Sequence, residues 1–475
     1  MKKYLRQKIC LSAAIAAAEI CLFAPNGFAA DLSLKDAVEA ALKNSTPLRI
    51  TAQGEKSAEI ALRRAKGSNG VSVTASDNFS VNKSKSEKRR DSNSIGVTGS
   101  LPIYTGGKNQ ANIKSAKIGI DTAELTTERE REKLRYDVIK AYYDALEARK
   151  TIAVNRESAD NYAAHYENVS ALYAAGSKAK IDVLRSSVEL SDARQTLIKS
   201  QNTYEVNLAT LRNLINMDRD EPLNLTDDFS YEPFADSMEN CIDYAFNNRK
   251  DLIVDAYTVR QKELSVDMAK AGYKPSVNLS VGLNQSNEFH PTSSDSHSVT
   301  AGVGVSWNVF DSGVTKAAVD AAETERDTAL LTLKRDRENV DLSVRTAYYN
   351  MKEAQKRFGS TSDAVQEAEE DYFIAREKYR AGEGIMLDII DAQLALSRAK
   401  LNYISAQYDY ARYKAQLAKE MGIALTGEEN AAAAELKTAV DDVSIEPLPA
   451  MSQNKATTVS REAENVIDET AGGKS

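Results

Sequence analysis

Cysteine is almost missing: three in 475 residues, at positions 10, 21 and 241. The first two fall in a stretch, residues 1–30, that reads as a secretory signal. Lys2, Lys3, Arg6 and Lys8 form a charged start, an apolar run from Ile9 to about Phe23 is interrupted by Glu19, and Ala29 and Ala30 offer the cleavage site. The run is too short to serve as a spanning anchor. Neither cysteine follows the Leu-small-small pattern that directs lipid attachment, so no lipid anchor is expected. The mature chain keeps only Cys241, which excludes an internal disulfide. Histidine is equally scarce, and His165, His290 and His297 have no ligand spacing, so neither a metal site nor a cofactor is expected. Positive charge is in deficit. The net charge is −8, and removing the signal, with four positive charges and one negative, takes it to −11. Nucleic acid, which wants a basic face, is thereby disfavoured as a partner. Beyond the signal no apolar run is long enough for a transmembrane helix, so any membrane insertion must use β-strands.

Proline is absent between Pro102 and Pro222 and again between Pro291 and Pro447. Both spans are rich in Ala, Glu, Lys, Arg, Leu and Gln, and read as long helices. The stretch from Lys108 to Tyr173 alone would reach about 100 Å at ~1.5 Å per residue. Within these spans the chain repeats itself. "YAAGSKAKIDVL" begins at Tyr173 and "YRAGEGIMLDII" at Tyr379; a shift of 206 aligns them. The same shift carries Tyr104 onto Phe310, Gly107 onto Gly313, and Ala141-Tyr142-Tyr143 onto Ala347-Tyr348-Tyr349. Upstream, a shift of 204 carries Val38 onto Ile242, Asn44 onto Asn248, and Ala65-Lys66 onto Ala269-Lys270. The chain is therefore read as a tandem duplication, 31–223 and 235–423, joined by a linker at 224–234.

Each half opens with a short helix (36–44; 239–247) and a longer one (48–66; 250–271). Two strands follow in each, at about 70–80 and 94–103, then at about 276–285 and 298–309. There Val71, Val73 and Ala75, and later Val299, Ala301, Val303 and Val305, alternate with polar residues. Ten residues suit a tilted strand crossing a bilayer. A helical hairpin then closes each half (108–217; 314–422), turned at Gly176 and at Gly382 with Gly384. Four strands cannot close a barrel, and an open edge cannot sit in lipid, so several protomers must pool their strands. Two copies would give eight strands with a filled interior, and three would give twelve around a lumen. Tyr104, Trp307 and Phe310, at the junction of strand and helix, are placed for an interfacial aromatic belt. From 424 to 475 the chain carries ten acidic and four basic residues and reads as a disordered, acidic periplasmic tail.

The layout resembles the TolC-like outer-membrane efflux proteins. The likeness rests on the duplicated strand–strand–hairpin unit, on "LPIYTGG" and "WNVFDSG" opening the long helices, on "AYYDALEA" and "AYYNMKEA", and on the two tip phrases. It covers residues 31 to about 423. It implies a mainly α fold with transmembrane β: a homotrimer whose twelve-stranded barrel in the outer membrane continues as a periplasmic α-barrel. The implied function is an exit duct for efflux or type I secretion, docked through a periplasmic adaptor to an inner-membrane pump or ABC transporter. The resemblance places the adaptor-docking tips at Gly176, Ser177, Gly382, Glu383 and Gly384. It assigns a periplasmic gate to Asp182, Tyr379, Asp388 and Asp391, with a Tyr379–Asp182 bond from a neighbouring hairpin holding the mouth shut. Asp388 and Asp391, three apart on a helix, share a face and would give six carboxylates around a threefold axis. Where the family has a latch Arg this chain has Gly384; Lys178, Lys180 and Arg380 are the candidates to replace it. The rival reading is a coiled-coil tether from outer membrane to cell wall, which would need no matched hairpins. No enzyme is expected. "GEGIML" lacks the third Gly of a dinucleotide motif, and nothing around Asp388 and Asp391 supplies a substrate pocket. The cargo stays open between small toxic molecules and a secreted polypeptide.

Overall fold

The computed structural model describes residues 30–83, 90–218, 223–290 and 293–423. The expected signal segment, Ala30 apart, and the acidic tail lie outside the described residues.

A short strand β1 (Ala30–Leu32) leads into helices α1 (Leu34–Asn44) and α2 (Thr46–Gly67). Ser33 and Ser45 start them as N-caps, accepting from Asp36 N at 3.1 Å and Leu48 N at 3.5 Å. Strands β2 (Ser72–Asn82) and β3 (Arg90–Tyr104) precede the long helix α3 (Lys108–Ala174) and its return α4 (Lys180–Ile215). A second short strand, β4 (Leu223–Leu225), is followed by α5 (Met238–Asn248), α6 (Lys250–Lys270), β5 (Ser276–His290) and β6 (Ser294–Ser306). The described residues close with α7 (Val314–Ala381) and α8 (Met386–Met421). Among the described residues no helix is long and apolar enough to cross a membrane.

The four long strands form one antiparallel sheet in the order β2-β3-β5-β6, so β2 and β6 are its open edges. Its register sorts the side chains by chemistry. Val73 and Ala75 share a face with Val97, and that face continues through Leu101, Leu279, Val281 and Leu283 to Val299, Val303 and Val305. Asp77, opposite Ile95, and Asp295, opposite Asn287, are the charged exceptions on this face across 72–80, 92–100, 276–286 and 294–306. The other face, across the same spans, is Ser, Thr, Asn or Gly at every position. Hydroxyls bond along it, as Ser72 to Ser100 at 2.7 Å and Ser80 to Ser92 at 2.9 Å. One face thus suits an apolar solvent and the other water. Three strands run further than the alternation indicates, β3 from residue 90, β5 to 290 and β6 from 294. Ladder hydrogen bonds do not need an apolar face, so pairing continues where the hydrophobic signal stops.

The helices make long hairpins, α3 against α4 and α7 against α8. The returning helices are shorter, and α2 along α3 and α6 along α7 and α3 extend the packing beyond them. Midway, α1, β1 and β4 cover one core. Tyr142, Leu146, Val138 and Leu211 fill it, and the Tyr142 hydroxyl donates to Leu32 O at 2.9 Å. Burial pushes that hydroxyl up to about 12. The parallel pairing of β1 with β4 is three residues long and has no periodic signature in sequence. The expected linker 224–234 is more than a tether. It contributes to β4 and lays Phe229 and Tyr231 on Phe358 with ring centroids 5.6 Å apart in each case.

A second core under α5 holds Cys241, Val344, Met351 and Leu417. Beside it Arg249 joins the helices electrostatically. It bonds Asp251 and reaches Glu420 at 2.9 Å, while Arg129 of α3 lies 3.6 Å from Asp251. Burial alone would raise both carboxylates, but Arg249, with Arg129 at Asp251 and Lys419 at Glu420, holds them below their ordinary values. Arg249→Met strands these charges. The expected cost is on the order of 3 kcal/mol, the low end for a buried pair because Asp251 is partly solvated. It should appear as a lower thermal unfolding temperature. Since both pKa values are depressed, the network's contribution is complete above the ordinary carboxylate range. It is lost as pH falls through the lowered values, so the wild-type–mutant gap should close in acid.

Candidate functional site

The hairpin tips are built by two glycines. Gly176 has φ of +75° and Gly382 of +79°, a region other residues enter only with strain. Ser177 N donates to Leu172 O and Glu383 N to Lys378 O, both at 2.9 Å, the long bond of a Schellman turn. Gly176, Ser177, Gly382 and Glu383 are exposed and Gly384 is half-buried. A Cβ at Gly176 or Gly382 meets nothing within 4 Å. At Gly384 it would stand 3.0 Å from Tyr379 N and 3.2 Å from Lys378 C, so a side chain there requires the end of α7 to yield. The missing Arg is therefore absent from a place that is sterically tight.

Asp388 and Asp391 both lie on the exposed face of the first turns of α8. Asp388 also caps its helix: its carboxylate accepts from Ile385 N at 3.2 Å. Asp182, in the first turn of α4, is half-buried. Tyr379 departs from the expected geometry. It is only 5% exposed, inside a cluster with Tyr162, Val169, Leu190, Met386 and Ile390. Its hydroxyl makes no hydrogen bond within the protomer, Asp182 included. Its ring packs on His165, centroids 5.5 Å apart, and Lys178 Nζ sits 4.5 Å from the ring centre. Of the three candidates to replace the latch Arg, Lys178 thus reaches Tyr379, whereas Arg380 is tied to Glu377 at 3.1 Å. Burial pushes the neighbouring Tyr162 hydroxyl up to about 12, with Glu189, Tyr372 and Asp391 adding to the effect.

At the opposite end of the helices, Tyr104, Trp307 and Phe310 are 42%, 59% and 86% exposed. Trp307 Nε1 donates to Tyr273 O at 3.0 Å. Tyr273, also exposed, joins this rim; a lone Tyr in "AGYKPS" carries no periodic signal that would have singled it out. His165 is the other residue the sequence did not flag, because an isolated His on a long helix looks like any surface position.

A sequence model described as "Outer membrane efflux protein" matches residues 37–217 and 241–423. Outer membrane efflux protein BepC of Brucella suis biovar 1 is 22% identical over 383 residues, covering 79% of this chain and 82% of that protein. Outer membrane protein TolC of Vibrio cholerae is 21% identical over 366 residues, 74% and 81% of the two chains. Among solved structures, the CmeC outer membrane channel of Campylobacter jejuni superposes with a TM-score of 0.72 at 18% identity, covering 85% of this chain and 89% of that one.

Proposed function

This chain belongs to the outer membrane efflux protein family, and from that membership we propose how its geometry makes an exit duct. It is an outer-membrane channel with a helical extension into the periplasm, the outer component of a tripartite efflux or secretion system. Three copies pool their four-stranded sheets into a twelve-stranded barrel, β2 of one protomer pairing with β6 of the next. The Val- and Leu-rich face meets lipid. The Ser-, Thr- and Asn-rich face lines a water-filled bore, and Tyr104, Trp307, Phe310 and Tyr273 anchor the rim at the interface. The helices of each duplicated unit continue the wall as a tube. Its tips, at Gly176, Ser177, Gly382, Glu383 and Gly384, dock a periplasmic adaptor that links the duct to an inner-membrane pump or ABC transporter. Asp182, Tyr379, Asp388 and Asp391 restrict the periplasmic mouth.

The observation that carries this reading is the sheet. It has two chemically opposite faces and two open edges, and lipid tolerates such edges only if they are closed by another strand. The detergent-purified protein should therefore be a trimer by light scattering with detergent correction. A monodisperse monomer would sink the barrel.

A further inference from the structure

Two buried polar atoms near the second tip have no partner: Tyr379 Oη and His165 Nε2. They belong to rings already in contact, 5.5 Å between centroids with planes inclined by 58°. The rings come from different hairpins, His165 from the end of α3 and Tyr379 from the last turn of α7. Leaving a buried donor or acceptor unpaired costs about 1–3 kcal/mol each, so a state that pairs these two with one another is strongly favoured over one that leaves both open. Tyr O–H matches a neutral imidazole nitrogen as donor to acceptor, and a change in the His165 side-chain torsions is the movement that would pair them.

We propose that His165 is a positioning residue of the gate: with its proton on Nδ1 it accepts a hydrogen bond from the Tyr379 hydroxyl, tying the two hairpin tips of one protomer together in the closed mouth. The proposal rests on the reading of the tips as a gate. It supplies locally what the sterically tight Gly384 cannot, a tie at the tip without the family's Arg. Tyr379 is buried in the cluster at the tip, whereas its repeat counterpart Tyr173 is 44% exposed.

The tie depends on protonation. Burial pushes the His165 imidazole down, toward the neutral, accepting form. The cluster around the Tyr379 ring holds Tyr162 and Tyr166 on α3, Lys178 in the turn and Tyr372 on α7, and Glu189 on α4 and Asp391 on α8 act on the Tyr162 hydroxyl there. Lys178 Nζ lies 4.5 Å from the centre of the same Tyr379 ring. Because the closed-state pKa is depressed, the tie is complete above the ordinary His value and is lost as pH falls through the lowered one.

The test is planar-bilayer conductance of the whole trimer, with the periplasmic side held at pH 7.5 and then 5. Wild type should conduct several-fold more in acid. Tyr379→Phe and His165→Phe should each raise conductance at pH 7.5 and flatten the acid response, and the double variant should do no more than either alone. His165→Gln, which can still accept but does not titrate, should stay closed at both values. An acid response that survives in His165→Gln overturns the proposal, as do additive effects of the two Phe variants. If Tyr379→Phe opens the channel while the His165 variants behave as wild type, the pair fails and the gate stands. If no variant at Tyr379, Asp388 or Asp391 alters conductance, the gate reading fails with it.

Discussion

Replacing Gly176 and Gly382 together by Glu is expected to abolish export while leaving the assembled trimer intact. The structure separates the two effects. Neither position has a neighbour within 4 Å of where a Cβ would lie, so a new side chain points into open space and displaces no packing. The penalty is conformational, about 1–2 kcal/mol for a non-glycine residue held at positive φ, too little to dissolve hairpins of this length. What changes is the outer surface of both turns, where a bulky charge replaces bare backbone. A periplasmic adaptor docked there, as proposed, would lose its fit at both tips of each protomer. Restored export in a strain lacking the native protein, together with co-purification of its own adaptor, measures the effect. Alanine at the same positions carries the same φ strain without bulk or charge, and it should keep most of the export. Full export by the double Glu variant would mean the tips are not the docking surface.

The two hairpins show what a sequence can and cannot reveal. Their existence was legible because proline-free, helix-forming runs end in glycines whose positive φ terminates a helix. The strands were legible because valines and leucines alternate along them. The purity of the opposite face was not, since it depends on register across four strands rather than on any one of them. Burial within the repeat was hidden for the same reason. Tyr173 and Tyr379 occupy the same place in matching phrases, yet one is half-exposed and the other enclosed. Tyr142 is buried in the core, bonded to Leu32 O and contacting Asp227, while its counterpart Tyr348 lies partly open beside Phe234. A duplicated sequence fixes like elements in like order. Which face each turns inward is decided by different neighbours: β1 and β4 around Tyr142, α5 and Phe234 around Tyr348, and α3, α4 and α8 around Tyr379. Tyr379 makes no bond to Asp182 within the protomer; local spacing places a Tyr on a turn of helix but not the elements that will enclose it.

Replacing Asp388 and Asp391 together by Asn is expected to remove most of the channel's cation preference, the second large effect. The argument is one of contrast along the bore. The sheet face assigned to the lumen carries no ionisable residue from 72 to 80, 92 to 100, 276 to 286 or 294 to 306. The barrel segment therefore has little fixed charge with which to sort ions. At the tips, two exposed carboxylates per protomer stand three residues apart on one helix face, which a threefold axis turns into six in a ring. Confined charges of one sign raise the local concentration of counter-ions through a field that salt only partly screens. Asn is the informative replacement because Asp388 also caps α8 through Ile385 N. An Asn oxygen can keep that bond, whereas Ala would lose it at about 0.5–2 kcal/mol and confuse charge with helix fraying. The readout is the reversal potential in asymmetric salt, which should move most of the way to zero in the double variant and roughly halfway in each single one. Introducing Asp at Thr98 and Ser280, on the hydroxyl face, should restore part of the preference, because any ring of carboxylates in the same bore acts on the same ions. A reversal potential unchanged in the double Asn variant would leave Asp388 as a helix cap and Asp391 as ordinary surface charge. The selectivity would then have to arise elsewhere along the helical wall.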